Sequence, residues 1–129
     1  MREIKINGTI LKKIIVGSFE NNVYVLLDPG TKESVIIDAA AEAERIHEAV
    51  GGTRVQFILQ THGHMDHVMA LEGIRSATKA PVGIHPADEK VFGVRADFHL
   101  EDNQILNIGR NQIRVIHTPG HTPGGVCFL

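Results

Sequence analysis

The stretch Arg54-Val-Gln-Phe-Ile-Leu-Gln60 runs directly into Thr61-His-Gly-His-Met-Asp-His67, and that junction decides the fold. The first part is a short apolar run that reads as a buried strand. In extended backbone, residues i and i+2 point the same way, so His62 and His64 can converge on one ion. Gly63 between them lets the chain turn tightly. Asp66 and His67 come where the next helix is expected to open, and they can reach a second position beside the first. Imidazole nitrogen and carboxylate oxygen are ordinary zinc ligands, at roughly 2.0–2.2 Å. The cluster lies just past the C-terminal end of a strand, where sites in α/β proteins usually form.

Downstream, Val68 to Thr78 spaces Met69, Gly73 and Ala77 by four and Leu71 and Ile74 by three, which predicts a helix. Pro81–Ile84 reads as a short strand and Pro86–Phe92 as a helical turn. Gln104–Ile108 and Gln112–Ile116 read as paired strands joined across Gly109-Arg110-Asn111. The chain then enters His117-Thr-Pro-Gly-His-Thr-Pro-Gly124 and an apolar run, Val126–Leu129. The Pro-Gly pair before His121 fixes a turn and presents the next side chain from a rigid loop. His121 can therefore supply a third imidazole, and three protein ligands plus water is the arrangement of a catalytic zinc. His117 closes a strand and reads more simply as structural. Of the other histidines, His47 reads as helix surface, His85 as a capping or loop residue before Pro86, and His99 as part of a polar stretch. Cys127, in an apolar run, reads as a buried, inert thiol.

Upstream, Thr9–Val16, Asn22–Leu27 and Ser34–Ile37 are rich in β-branched residues, with Asp28-Pro29-Gly30 as a turn between the last two. They predict an antiparallel meander ending at Asp38. Ala39–Val50 predicts a helix stopped by Gly51-Gly52. Strands and helices are mixed, so the class is α/β or α+β, with a sheet covered by helices.

Composition narrows the function classes. The length, 129 residues, suits one domain. Thirteen basic against fifteen acidic residues give a net charge of −2, which argues against a general nucleic-acid binder. The single cysteine excludes an intrachain disulfide and so a disulfide-stapled secreted scaffold. No run approaches the ~20 apolar residues of a membrane span, and the N-terminal MREIKINGTI lacks the apolar core of a signal peptide. The expected location is cytoplasmic. Histidine is the anomaly: five of the eight lie in segments 62–67 and 117–121.

The motifs Thr61-His-Gly-His-Met-Asp-His67, in the pattern H-x-H-x-D-H, and His117-Thr-Pro-Gly-His-Thr-Pro-Gly124 resemble those of the metallo-β-lactamase fold superfamily. The order of elements before them agrees, and the resemblance covers the whole chain. Within that superfamily the chain is most similar to the glyoxalase II-like hydrolases and the related persulfide dioxygenases. His67 stands where one lactamase branch carries arginine, and His64 where the flavo-diiron branch carries glutamate. The resemblance implies an α+β fold, the N-terminal part of an αββα sandwich with a mixed sheet covered by helices. It implies that His62, His64 and His121 bind one metal and that Asp66 and His67 begin a second site. Asp38 matches the family's strand-end aspartate, read either as orienting a ligand histidine or as a plain turn residue, although Ala39-Ala40 replace the residues that usually come after it.

The implied cofactor is zinc, one or two ions, with iron or manganese as alternatives. The implied activity is hydrolysis of a small-molecule thioester, of glutathione type, by metal-activated water, with Asp66 holding or deprotonating that water. A thiolate leaves readily, since a thiol pKa is ~8.5. Rival readings are a mono-iron persulfide dioxygenase and a non-catalytic metal-binding half-domain. Family members are longer: no Asp follows Asp102 and no His follows His121. Residues 1–129 therefore read as one partial domain, a truncated product or a half-protein with a separate partner. Its apolar final strand is expected to drive self-association or pairing with the missing half.

Overall fold

The computed structural model describes residues 2–6, 8–16, 21–39, 42–61, 71–93, 95–119 and 124–128. Strand β1 (Arg2–Ile6) pairs antiparallel with β2 (Thr9–Val16), and β2, β3 (Asn21–Asp28) and β4 (Glu33–Ile37) form the expected antiparallel meander. Helix α1 (Ala43–Val50) leads to β5 (Arg54–Leu59), which lies parallel to β4. Helix α2 (Leu71–Thr78) leads to β6 (Val82–Ile84), and α3 (Pro86–Phe92) to β7 (Phe98–His99), again parallel. The result is a mixed seven-stranded sheet in sequence order. A second sheet, of order β10-β9-β8, holds β8 (Ile105–Ile108), β9 (Asn111–His117) and β10 (Val126–Phe128).

The two faces of the large sheet build two cores. Val23, Val25, Ile36 and Ile58 pack with Ile46, Val50, Leu71 and Ile74 of α1 and α2. The alternate residues Val35, Ile37 and Leu59 pack with Leu106, Ile108, Ile113, Val115 and Val126 of the small sheet. A strand buried on both faces needs apolar residues at consecutive positions, which is why Val35-Ile36-Ile37 is an unbroken run. The class is α+β, with α1 and α2 on one side of the large sheet and the small sheet on the other. Among the described residues no helix is long and apolar enough to cross a membrane.

Several expectations are corrected. The first helix begins at Ala43, not Ala39. Ala39 is fully buried, and its N–H is committed to the Gln60 side chain at 3.1 Å. Glu42 then takes a left-handed conformation, φ 53°, before the helix opens. Of the second predicted helix, 71–78 is observed; Val68, Met69 and Ala70 lie outside the described residues. Cys127 is exposed, because β10 alternates and sends Val126 inward. Strands β1 and β7 were not anticipated. His99 lies in β7, and its Nε2 meets Glu89 Oε1 at 2.6 Å.

At the far end of the molecule the sheets are pinned by one carboxylate. Asp28, at the end of β3, is fully buried. It accepts from Arg110 N (2.9 Å), Nε (3.1 Å) and Nη2 (2.8 Å) at the β8–β9 turn, and from Gly30 N at 2.9 Å. These donors, Arg110 foremost, hold its carboxyl well below the usual carboxylate range. A Cβ at Gly109 would sit 2.5 Å from Asp28 Oδ2, so only glycine admits this approach.

Candidate metal centre

His62, His64, Asp66, His67 and His121 lie outside the described residues. The structure does describe the residues that flank both motifs, and these flanks meet at one corner.

The first flank is the end of β4 against the end of β5. Asp38 continues the ladder, its N–H donating to Leu59 O at 2.9 Å. It then turns left-handed at φ 59°, a conformation Asp and Asn tolerate better than most residues. That turn brings its carboxylate to Thr61, whose N–H donates to Oδ1 (2.7 Å) and whose hydroxyl donates to Oδ2 (2.6 Å). Asp38 is therefore both a turn residue and a clamp on the residue immediately before His62. Gln60 braces the same corner, fully buried, its Oε1 accepting from Ala39 N. The sequence reading missed Gln60; the available signal was a polar residue closing an apolar strand.

The charged hydrogen bonds make the clamp testable. Asp38→Ala strands the Thr61 N–H and hydroxyl and is expected to cost about 2–4 kcal/mol of stability. Asp38→Asn keeps an acceptor and tolerates the left-handed backbone, so it should recover at least half of that loss in a urea titration.

The second flank is the β9–β10 hairpin. His117 pairs with Val126 across the strands, and Thr118 N–H donates to Gly125 O at 2.8 Å, closing the loop that carries His121. Val126 N–H then donates to Thr61 O at 2.8 Å. Thr61 thus takes bonds from both sides: its donors go to Asp38 and its carbonyl to the strand leaving the second motif. The residue before the first histidine segment and the strand that follows the second motif therefore meet at one hydrogen-bonded corner.

The first turn of α3 sits against the same hairpin. His85 caps that helix, its Nδ1 accepting from Ala87 N at 3.1 Å. Its ring stacks on His117, centroids 4.0 Å apart and planes 14° from parallel. Burial first, then the neighbouring His117, pushes the His85 imidazole below its usual pKa, in keeping with a neutral ring whose Nδ1 is an acceptor. His117 N–H donates to Asp102 Oδ1 at 2.9 Å. His47 is exposed on α1, as expected. Glu89 is held below the usual carboxylate range by the Ala96 N–H and then by His99.

The donor chemistry fits a divalent metal. Three imidazoles with an aspartate and a fourth imidazole are borderline ligands of the kind zinc and iron take. The corner at Thr61 joins the residue before His62 to the strand that follows the second motif.

A family model described as metallo-beta-lactamase superfamily matches residues 16–129. The chain is 35% identical over 111 residues to a hydroxyacylglutathione hydrolase of Cereibacter sphaeroides, covering 84% of this chain and 43% of that protein. It is 33% identical over 111 residues to the mitochondrial persulfide dioxygenase ETHE1 of Homo sapiens, covering 82% and 42%. Among solved structures, the crystal structure of the B3 metallo-beta-lactamase BLEG-1 superposes with a TM-score of 0.78 at 30% identity, covering 92% of this chain and 66% of that one. The chain therefore spans less than half the length of these two curated relatives.

Proposed function

Since this chain belongs to the metallo-β-lactamase superfamily, we propose that it carries the metal-binding portion of a zinc-dependent hydrolase acting on small thioesters of glutathione type. Residues 1–129 are, in this reading, one part of a larger αββα domain. The observation that carries the proposal is the hydrogen bond from Val126 N to Thr61 O, which joins the two motif-bearing segments at one corner. The similarity to a hydroxyacylglutathione hydrolase supports the choice of thioester.

His62, His64 and His121 would hold the first ion, and Asp66 and His67 would contribute to a second. A divalent metal there supplies Lewis acidity and a nucleophile at neutral pH. Asp66 would orient the attacking water and accept its proton. As water oxygen bonds to the thioester carbonyl carbon, the C–S bond breaks with its electron pair on sulfur, and the proton passes to the departing thiolate or to solvent. Asp38 acts earlier in the chain of causes, fixing Thr61 and hence the start of the histidine segment.

The test pairs metal content by elemental mass spectrometry with thiol release from an S-acyl glutathione. Zinc bound by the wild-type chain and lost in His64→Ala, with zinc-dependent thiol release, is the expected result. Absence of bound zinc together with absence of thiol release overturns it. The similarity to a persulfide dioxygenase supports one second reading, for which the family resemblance implies a single iron held by two histidines of this chain. Iron rather than zinc, with oxygen uptake on a glutathione persulfide, would select it.

A further inference from the structure

Asp88 is a charged side chain with no place in the ligand set or the proposed chemistry, yet it is fully buried. It lies in the first turn of α3, and its Oδ1 accepts from Gly124 N at 2.6 Å in a buried contact. The fit between the two is tight. A Cβ on Gly124 would stand 2.6 Å from Asp88 N and 2.9 Å from its Oδ1. Three residues earlier in the same turn, His85 stacks on His117. One helical turn therefore grips the chain on both sides of His121, at His117 and at Gly124.

We propose that Asp88 is a positioning residue for the metal centre: its carboxylate anchors Gly124, and with the His85–His117 stack it fixes both ends of the loop that carries His121. The proposal rests on the reading of His121 as a ligand. The physical argument is entropic. A loop pinned at both ends by side chains of a rigid element has less freedom to lose when its central residue binds an ion. Partners that orient metal ligands typically change metal affinity 10–100-fold when removed. The proposal also accounts for Gly124: a side chain there would displace the strand from Asp88.

The test measures zinc affinity of the full chain by competition with a chromophoric chelator, and the visible spectrum of the cobalt(II)-substituted chain. Asp88→Ala and Gly124→Ala are each expected to weaken zinc about 10–100-fold and to perturb the cobalt bands. Asp88→Asn retains an acceptor for Gly124 N–H and should restore affinity to within about threefold, on the scale where positioning partners act. Asp28→Asn is the stability control. It loosens the opposite end of β9, lowering Tm while leaving zinc affinity unchanged. Wild-type affinity in both Asp88→Ala and Gly124→Ala overturns the proposal, and so does equal weakening in Asp28→Asn. Where Asp88→Ala fails to fold, Gly124→Ala, which leaves the buried carboxylate in place, decides alone. Failure of the underlying reading is separately visible: His121→Ala would then bind zinc like the wild type, and the clamp falls with it.

Discussion

Zinc affinity is expected to fall at least a hundredfold in His121→Ala and less than tenfold in His117→Ala, measured by chelator competition on the full chain. The total binding free energy of a zinc site is on the order of 10–16 kcal/mol, spread over a few ligands. Losing one imidazole of three removes several kcal/mol, which corresponds to more than two decades. His117 has a different environment. Its backbone pairs with Val126 and donates to Asp102, and its ring lies flat against His85. The stack against His85 gives this imidazole a part in loop placement, and its loss is expected to act by loosening the loop that begins at Thr118. Equal losses in the two variants would exchange their roles.

The expected ranking of these two histidines rests on local signals, the Pro-Gly turn before His121 and the strand end at His117. Most of the fold is legible from signals of the same kind. Val35-Ile36-Ile37 is apolar at every position because both faces are buried, and the run is visible without coordinates. The Gly109-Arg110 turn between β8 and β9 is equally plain.

What stays hidden is every contact whose partners are far apart in the chain. Nothing near Asp88 indicates that its carboxylate meets Gly124, 36 residues away. Gln60 reads as the polar end of a strand until Ala39 is placed beside it. The boundary of the first helix is hidden for the same reason. Alanine has high helix propensity, so Ala39-Ala40-Ala41 looks helical. At Ala39 the tertiary hydrogen bond to Gln60 and the reversal at Asp38 override that propensity. Cys127 differs: apolar neighbours do not reveal which face of a short strand is outward.

Asp28 and Arg110 are the most distant of these pairs, and they carry the largest expected effect on stability. Asp28→Asn should lower Tm by several degrees at pH 7 and flatten the acid limb of the stability curve. The sign comes from the direction of the pKa change. In the folded chain Arg110 holds the Asp28 carboxyl below its ordinary value of 3.8. The unfolded chain therefore takes up the proton first as pH falls. The stabilisation is complete above about pH 4, declines through the ordinary carboxylate range, and is lost once the folded carboxyl itself protonates. Asparagine has no such titration, so the gap between wild type and variant should be widest at neutral pH and narrow progressively as pH falls below about 4. Urea midpoints at pH 7, 4 and 2.5 measure this directly. A gap that is constant across the three values would assign the effect of Asp28 to its shape and neutral hydrogen bonds. A closing gap assigns it to the charge that ties the end of β3 to the β8–β9 turn. That tie holds the start of β9 in register with β8.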